Sequence, residues 1–207
     1  MRRALLLPLL FTAVAGPATA HPHLFVEARA EVVLAEDKAL EAIRVEWVFD
    51  EAYSLYAKDG LGIDADGDGL LTDEDRETLR SAHIDEMEEF SWFTYLRDAG
   101  NFVPLAPPSV SEADMIGDRL VVRFTIAPKE TTSFANGTLK LSDPTFYVAI
   151  SLPPENLTYA GPAECRLEYA PPENTVAFNS VIGMNLGEGQ ARAFGVTFAS
   201  DISLACD

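Results

Sequence analysis

The sequence predicts an α+β protein: a mainly antiparallel, sandwich-like β domain with a helical insertion over residues 51–100 that carries one EF-hand-like calcium loop. Three features lead there: strict alternation of apolar and polar residues near the start, an acidic glycine-containing run from Asp64 to Asp75, and strand-like segments punctuated by Pro, Gly and Asn after Gly100. At 207 residues, 48% of them apolar, the chain is long enough to bury a core of its own.

From Leu24 to Leu34 the run LFVEARAEVVL sets Glu27, Arg29 and Glu31 on one side and Val26, Ala28, Ala30 and Val32 on the other. A polar turn at Glu36-Asp37-Lys38 leads into AIRVEWVFD, where Ile43, Val45, Trp47 and Phe49 alternate with Arg44, Glu46 and Val48. The pair reads as an antiparallel hairpin with His21 to His23 at its leading end. Two strands are marginal in water, so the C-terminal half must supply their neighbours. Segments 120–127, 138–141, 145–152 and 165–169 are the clearest candidates.

The acidic run DADGDGLLTDED places Asp64, Asp66 and Asp68 at positions one, three and five of a calcium loop, with Gly69 at the sixth, where the chain must turn sharply. Leu70 then offers its carbonyl, Thr72 binds directly or through water, and Asp75 closes the loop. The usual closing residue is Glu; Asp75 is one methylene shorter, and no second such loop occurs in the chain. These departures point to a structural staple rather than a sensor, and a solvated acidic turn is the plain alternative. After the loop, residues 72–97 read as one long helix, with Leu79, His83, Met87, Phe90 and Phe93 stepping along its inner face.

Arg2 and Arg3 lead an apolar run from Ala4 to Ala15, followed by Ala18-Thr19-Ala20. This is the pattern of a cleavable export signal over residues 1–20, after which the mature chain begins at His21. A cut after Ala15 is the other possibility. Cys165 and Cys206 are the only cysteines, and in an exported chain they are expected to form a disulfide. Acidic residues outnumber basic ones by 33 to 15, which argues against nucleic acid or anionic lipid as partner and for attraction of cations.

Of three histidines, His21 and His23 are the first and third residues of the predicted mature chain. Cleavage gives His21 a free α-amine beside its imidazole, so that residue alone can chelate a borderline metal, and His23 adds a third nitrogen. A copper or nickel site built on two deprotonated amides is excluded, because Pro22 has no amide proton. Imidazole-based binding of zinc, nickel, cobalt or copper remains, against the plain reading of a frayed terminus. His83 lies on an apolar helix face, where a lone histidine is more often packed than ligating. It joins the site only if the insertion folds against the leading end of the hairpin, with Glu86 as an orienting carboxylate or further ligand. No nucleophile elbow, zinc-protease motif, phosphate-cradling loop or Cys–His pair is present, so the chain does not read as an enzyme.

The start HPHLFVEARAEV, the segment WVFDEAYS over residues 47–54, the acidic loop with its helix, and DPTFYVAI over residues 143–150 resemble the exported bacterial family represented by ZevA. That resemblance implies a periplasmic accessory to a NicO-type nickel, cobalt or zinc permease of the inner membrane, with His21, His23 and Asp50 at positions matching its motifs. The leading expectation is thus a periplasmic transition-metal carrier, zinc foremost, that works with such a permease. Two rivals stand beside it: a copper protein of the histidine-brace type, using His21 and His83, and a calcium-stapled interaction domain.

Overall fold

The structure, a computed structural model, describes residues 23–172 and 199–206. In chain order the strands are β1 (Leu24–Leu34), β2 (Leu40–Phe49), β3 (Thr94–Asp98), β4 (Asn101–Val103), β5 (Val110–Ile116), β6 (Arg119–Ile126), β7 (Gly137–Leu141), β8 (Val148–Ser151), β9 (Leu157–Ala160), β10 (Cys165–Ala170) and β11 (Asp201–Cys206). Two helices, α1 (Glu51–Leu61) and α2 (Asp73–Ile84), fall between β2 and β3. The predicted leader and His21 lie outside the described residues, as does the side chain of Glu86.

The alternating runs form the expected hairpin, Val26 opposite Phe49 and Val32 opposite Ile43. Burial along β1 alternates with the pattern, because a strand turns every second side chain to the same face. The first sheet runs β5-β6-β2-β1, antiparallel throughout, and is completed on its far edge by β8 and β9. Those two lie parallel to β1, β8 beside its start and β9 beside its end. The second sheet, β10-β11-β7-β3-β4, is entirely antiparallel. Val32, Ile43 and Leu120 of the first sheet and Leu96, Leu139 and Ile202 of the second are fully buried, which makes the sandwich-like core.

The helical segment departs from expectation at its far end. The predicted helix over residues 72–97 stops at Ile84, continues as 3-10 turns over Asp85–Phe93, and gives way to strand β3. The indole N–H of Trp92 donates to the Ile84 carbonyl at 3.0 Å, taking the acceptor that a continuing helix would use. Ser91, Trp92 and Phe93 then adopt left-handed backbone, φ 52°, 49° and 51°, which reverses the chain into the second sheet. The helical stretch therefore ends before residue 94 rather than at 100.

Cys165 and Cys206 face each other in the β10–β11 register and are joined by a disulfide. No helix among the described residues is long and apolar enough to cross a membrane.

Candidate functional site

The leading end of the hairpin is held by two turns that the sequence motifs build. In the first, Asp143 sits 3% exposed at the head of DPTFYVAI. Its Oδ1 accepts from the Thr145 amide and hydroxyl at 2.7 Å and its Oδ2 from the Val148 amide at 2.8 Å. This turn presents Tyr147, whose carbonyl accepts from the His23 amide at 2.9 Å and whose ring stacks on the His23 imidazole at 4.7 Å. In the second, Asp50 caps α1: Oδ1 accepts from the Tyr53 amide at 2.9 Å, while Oδ2 accepts from the Phe25 amide at 2.8 Å. Burial pushes the Asp50 carboxyl up, but the backbone donors of Phe25, Tyr53 and Ala52 outweigh it and leave the group below its ordinary value. Both carboxylates are thus committed to backbone donors, and together they fix β1, α1 and the Tyr147 loop at one end of the sandwich.

His83 comes to the same end from α2. It is 7% exposed, and one ring nitrogen, Nδ1, lies 2.7 Å from the Leu79 carbonyl. A carbonyl only accepts, so Nδ1 carries the proton, and the Nε2 lone pair accepts from the Tyr53 hydroxyl at 3.0 Å. Burial pushes the imidazole below its ordinary value, and the bond to Leu79 offsets that only in part. Burial likewise raises the Tyr53 phenol, with Tyr147 and Tyr56 adding to the shift.

His83, Tyr53, Met87, Trp47, Asp143 and Tyr147 share one pocket of about 280 Å³ with mainly apolar walls. Helix α2 and the His23 end of the hairpin, 60 residues apart in the chain, therefore border a common cavity. Phe49 meets the His83 ring edge-on at 5.4 Å. The Trp47 indole N–H is buried without a hydrogen-bond partner among the described residues, the kind of orphan donor that costs about 1–3 kcal/mol.

The acidic loop lies elsewhere, between α1 and α2. Asp64, Asp66 and Asp68 bring ligand atoms within 4.8 Å of one another, and no other such group of His, Cys, Asp or Glu occurs among the described residues. Gly69, at φ 80°, turns its amide onto Asp64 Oδ1 at 3.0 Å, which links the first and sixth positions. Two predicted ligands serve differently. Thr72 and Asp75 form the capping box of α2, the Asp75 carboxylate accepting from the Thr72 amide at 2.8 Å and hydroxyl at 2.6 Å. The Leu70 amide donates to Asp68 Oδ1 at 2.7 Å. A residue outside the motif completes the picture: the Lys58 ammonium lies 2.6 Å from Asp64 Oδ2. That contact, with the Gly69 amide, holds the Asp64 carboxyl below its ordinary value. The sequence signal for it was a basic residue in the last turn of a helix that runs into an acidic loop.

A larger trough, about 600 Å³, lies on the solvent face of the first sheet. Its lining includes a cross-strand charge ladder in which Glu46 takes both Arg29 and Arg123, and Arg44 takes Glu31. Its guanidinium groups are already partnered by carboxylates, so volume alone does not make it the stronger candidate.

The chain belongs to a family described as "Protein of unknown function (DUF1007)", whose model matches residues 6–206. No curated protein matches it.

Proposed function

We propose that this protein is a non-enzymatic periplasmic carrier for a transition metal, zinc foremost, that passes its ion to or from a NicO-type inner-membrane permease. The observation that carries the reading is the shared pocket: His83 offers Nε2 there, and the Tyr147 on its wall holds the His23 ring. The bond from His83 Nδ1 to a backbone carbonyl is the outer partner that metal-bound imidazoles ordinarily carry. His21 would add an imidazole and, after removal of the leader, an α-amine. A site of open nitrogen donors exchanges its ion more readily than a closed thiolate cage, as a carrier requires. The Cys165–Cys206 bridge fits an oxidising compartment outside the cytoplasm. The resemblance to the ZevA family supplies the permease, and calcium in the Asp64–Asp75 loop would brace the segment that brings His83 to the pocket.

Titration of the protein starting at His21 with zinc, nickel and copper tests the reading. Submicromolar binding of at least one ion is expected, and a single residue added before His21 should weaken it about tenfold or more, because one donor is lost. Micromolar or weaker binding of all three ions overturns the proposal. Equal affinity in native and extended proteins removes the amine and leaves an imidazole carrier.

A further inference from the structure

We infer that the pocket behind Tyr147 is itself a site for a soft monovalent metal ion, cuprous copper, held between the His83 Nε2 and the Met87 thioether. The site shares His83 with the proposed carrier site and goes beyond it, since it adds Met87 and needs neither His21 nor His23.

Donor chemistry comes first. Met87, in the 3-10 turns that follow α2, lines the same pocket as His83, so an imidazole and a thioether border one cavity. Thioether sulfur is a ligand for cuprous copper, whereas zinc sites draw on thiolate, imidazole and carboxylate. The His83 ring is already set for such a bond. Its proton is committed to the Leu79 carbonyl, and its lone pair meets only a neutral phenol hydroxyl, at 3.0 Å, which an arriving ion can displace.

The charge of the pocket suits such an ion. The pocket walls include Leu24, Trp47, Phe49 and Val148, and among the described residues its only carboxylate is Asp143. Both Asp143 oxygens already accept from Thr145 and Val148, so this group balances charge without joining the coordination. One buried negative charge is enough to compensate a monovalent ion. Aromatic walls add attraction for a cation at short range and keep out water that would promote oxidation.

The test is anaerobic competition of cuprous ion between the protein and bicinchoninate, with hydroxylamine as reductant so that the disulfide stays intact. One ion per chain should be captured. Met87→Leu conserves volume and should fold; it should weaken cuprous binding about tenfold or more while leaving a zinc titration unchanged. Tyr53→Phe should tighten cuprous binding by about threefold to tenfold, because Nε2 no longer has to give up a hydroxyl; a purely structural Tyr53–His83 bond predicts no such gain. Cuprous binding should survive His21→Ala with His23→Ala, even where zinc binding is lost. The inference is overturned by absence of cuprous capture, or by equal capture in wild type and Met87→Leu. Capture that vanishes in the double histidine variant but ignores Met87 places the ion at the N-terminus; the carrier reading then stands and this one falls.

Discussion

His83 is packed and presented at once. Its ring is buried against Phe49 and hydrogen-bonded on both nitrogens, yet one of those bonds faces a cavity. The sequence offered a lone histidine on an apolar face, for which a packed residue and a ligand leave the same trace. Only the fold shows which nitrogen keeps its proton. Because burial lowers the folded value below the ordinary 6.5, the unfolded chain protonates first as pH falls. Stability of the metal-free protein is therefore expected to be full above about 6.5 and to decline as pH drops from there through the folded value. His83→Gln, which cannot titrate, should flatten that limb in urea unfolding curves taken between pH 7 and 5. An unchanged pH dependence would show that the imidazole is not held neutral by burial. Asp50 matches a motif of the resembling family, but its two oxygens serve Tyr53 and Phe25 amides. Asp50→Ala should cost about 1–2 kcal/mol in unfolding free energy, and Asp50→Asn less, since its one amide oxygen still caps the helix although its amide nitrogen cannot accept from Phe25. Metal affinity that falls in Asp50→Asn without loss of stability would restore it as a ligand.

At the scale of elements, the N-terminal hairpin was fully legible, because alternation over ten residues admits only one period. The helix expected over residues 72–97 was half right. Leu79, His83, Met87, Phe90 and Phe93 keep a helical spacing beyond Ile84, but Trp92 captures the Ile84 carbonyl and three left-handed residues turn the chain into β3. No local pattern announces that; it depends on where a tryptophan folds back. The acidic loop was legible in its carboxylates and its turning glycine, whereas Lys58, outside the motif, left only the weaker signal of a basic residue in the last turn before an acidic loop. A tethered ammonium on Asp64 competes with any cation that seeks the same oxygen. Lys58→Gln should therefore bind calcium about threefold to tenfold more tightly than wild type in isothermal titration, whereas Asp64→Ala should not bind. If Lys58→Gln binds calcium no better, the ammonium is not a competitor; if neither wild type nor Lys58→Gln binds, the loop is a metal-free turn held by its own ion pair.

Across the whole molecule, a sandwich-like α+β fold follows from one hairpin that cannot stand alone and a C-terminal half rich in short strands. What the sequence did not show was that β8 and β9 would run parallel to β1, because the direction of short strands is set by the path of the chain between them. The cysteine pairing was legible from number and expected export alone, but its mechanical place was not. Cys165 and Cys206 lie opposite each other in the β10–β11 pair, and β10 is an edge of the second sheet. Among the described residues β11 meets β7 at two paired positions, Ile202 with Leu139 and Ser203 with Thr138, whereas β10 pairs with β11 alone. The bridge thus ties the C-terminal strand to an edge strand that the sheet itself restrains weakly. Closing a loop of about 40 residues stabilises by roughly 3–4 kcal/mol through loop-closure entropy. Cys165→Ala with Cys206→Ala should lower unfolding free energy by about that amount and should do so unevenly. Hydrogen exchange should show lost protection in β10 and β11, while β1, β2 and β6, paired along most of their lengths, keep theirs. Zinc binding should persist, since the disulfide belongs to the second sheet and the histidine pocket to the end where β1 meets α1. Uniform loss of protection across both sheets would show instead that the two unfold as one cooperative unit, with the bridge stabilising the whole.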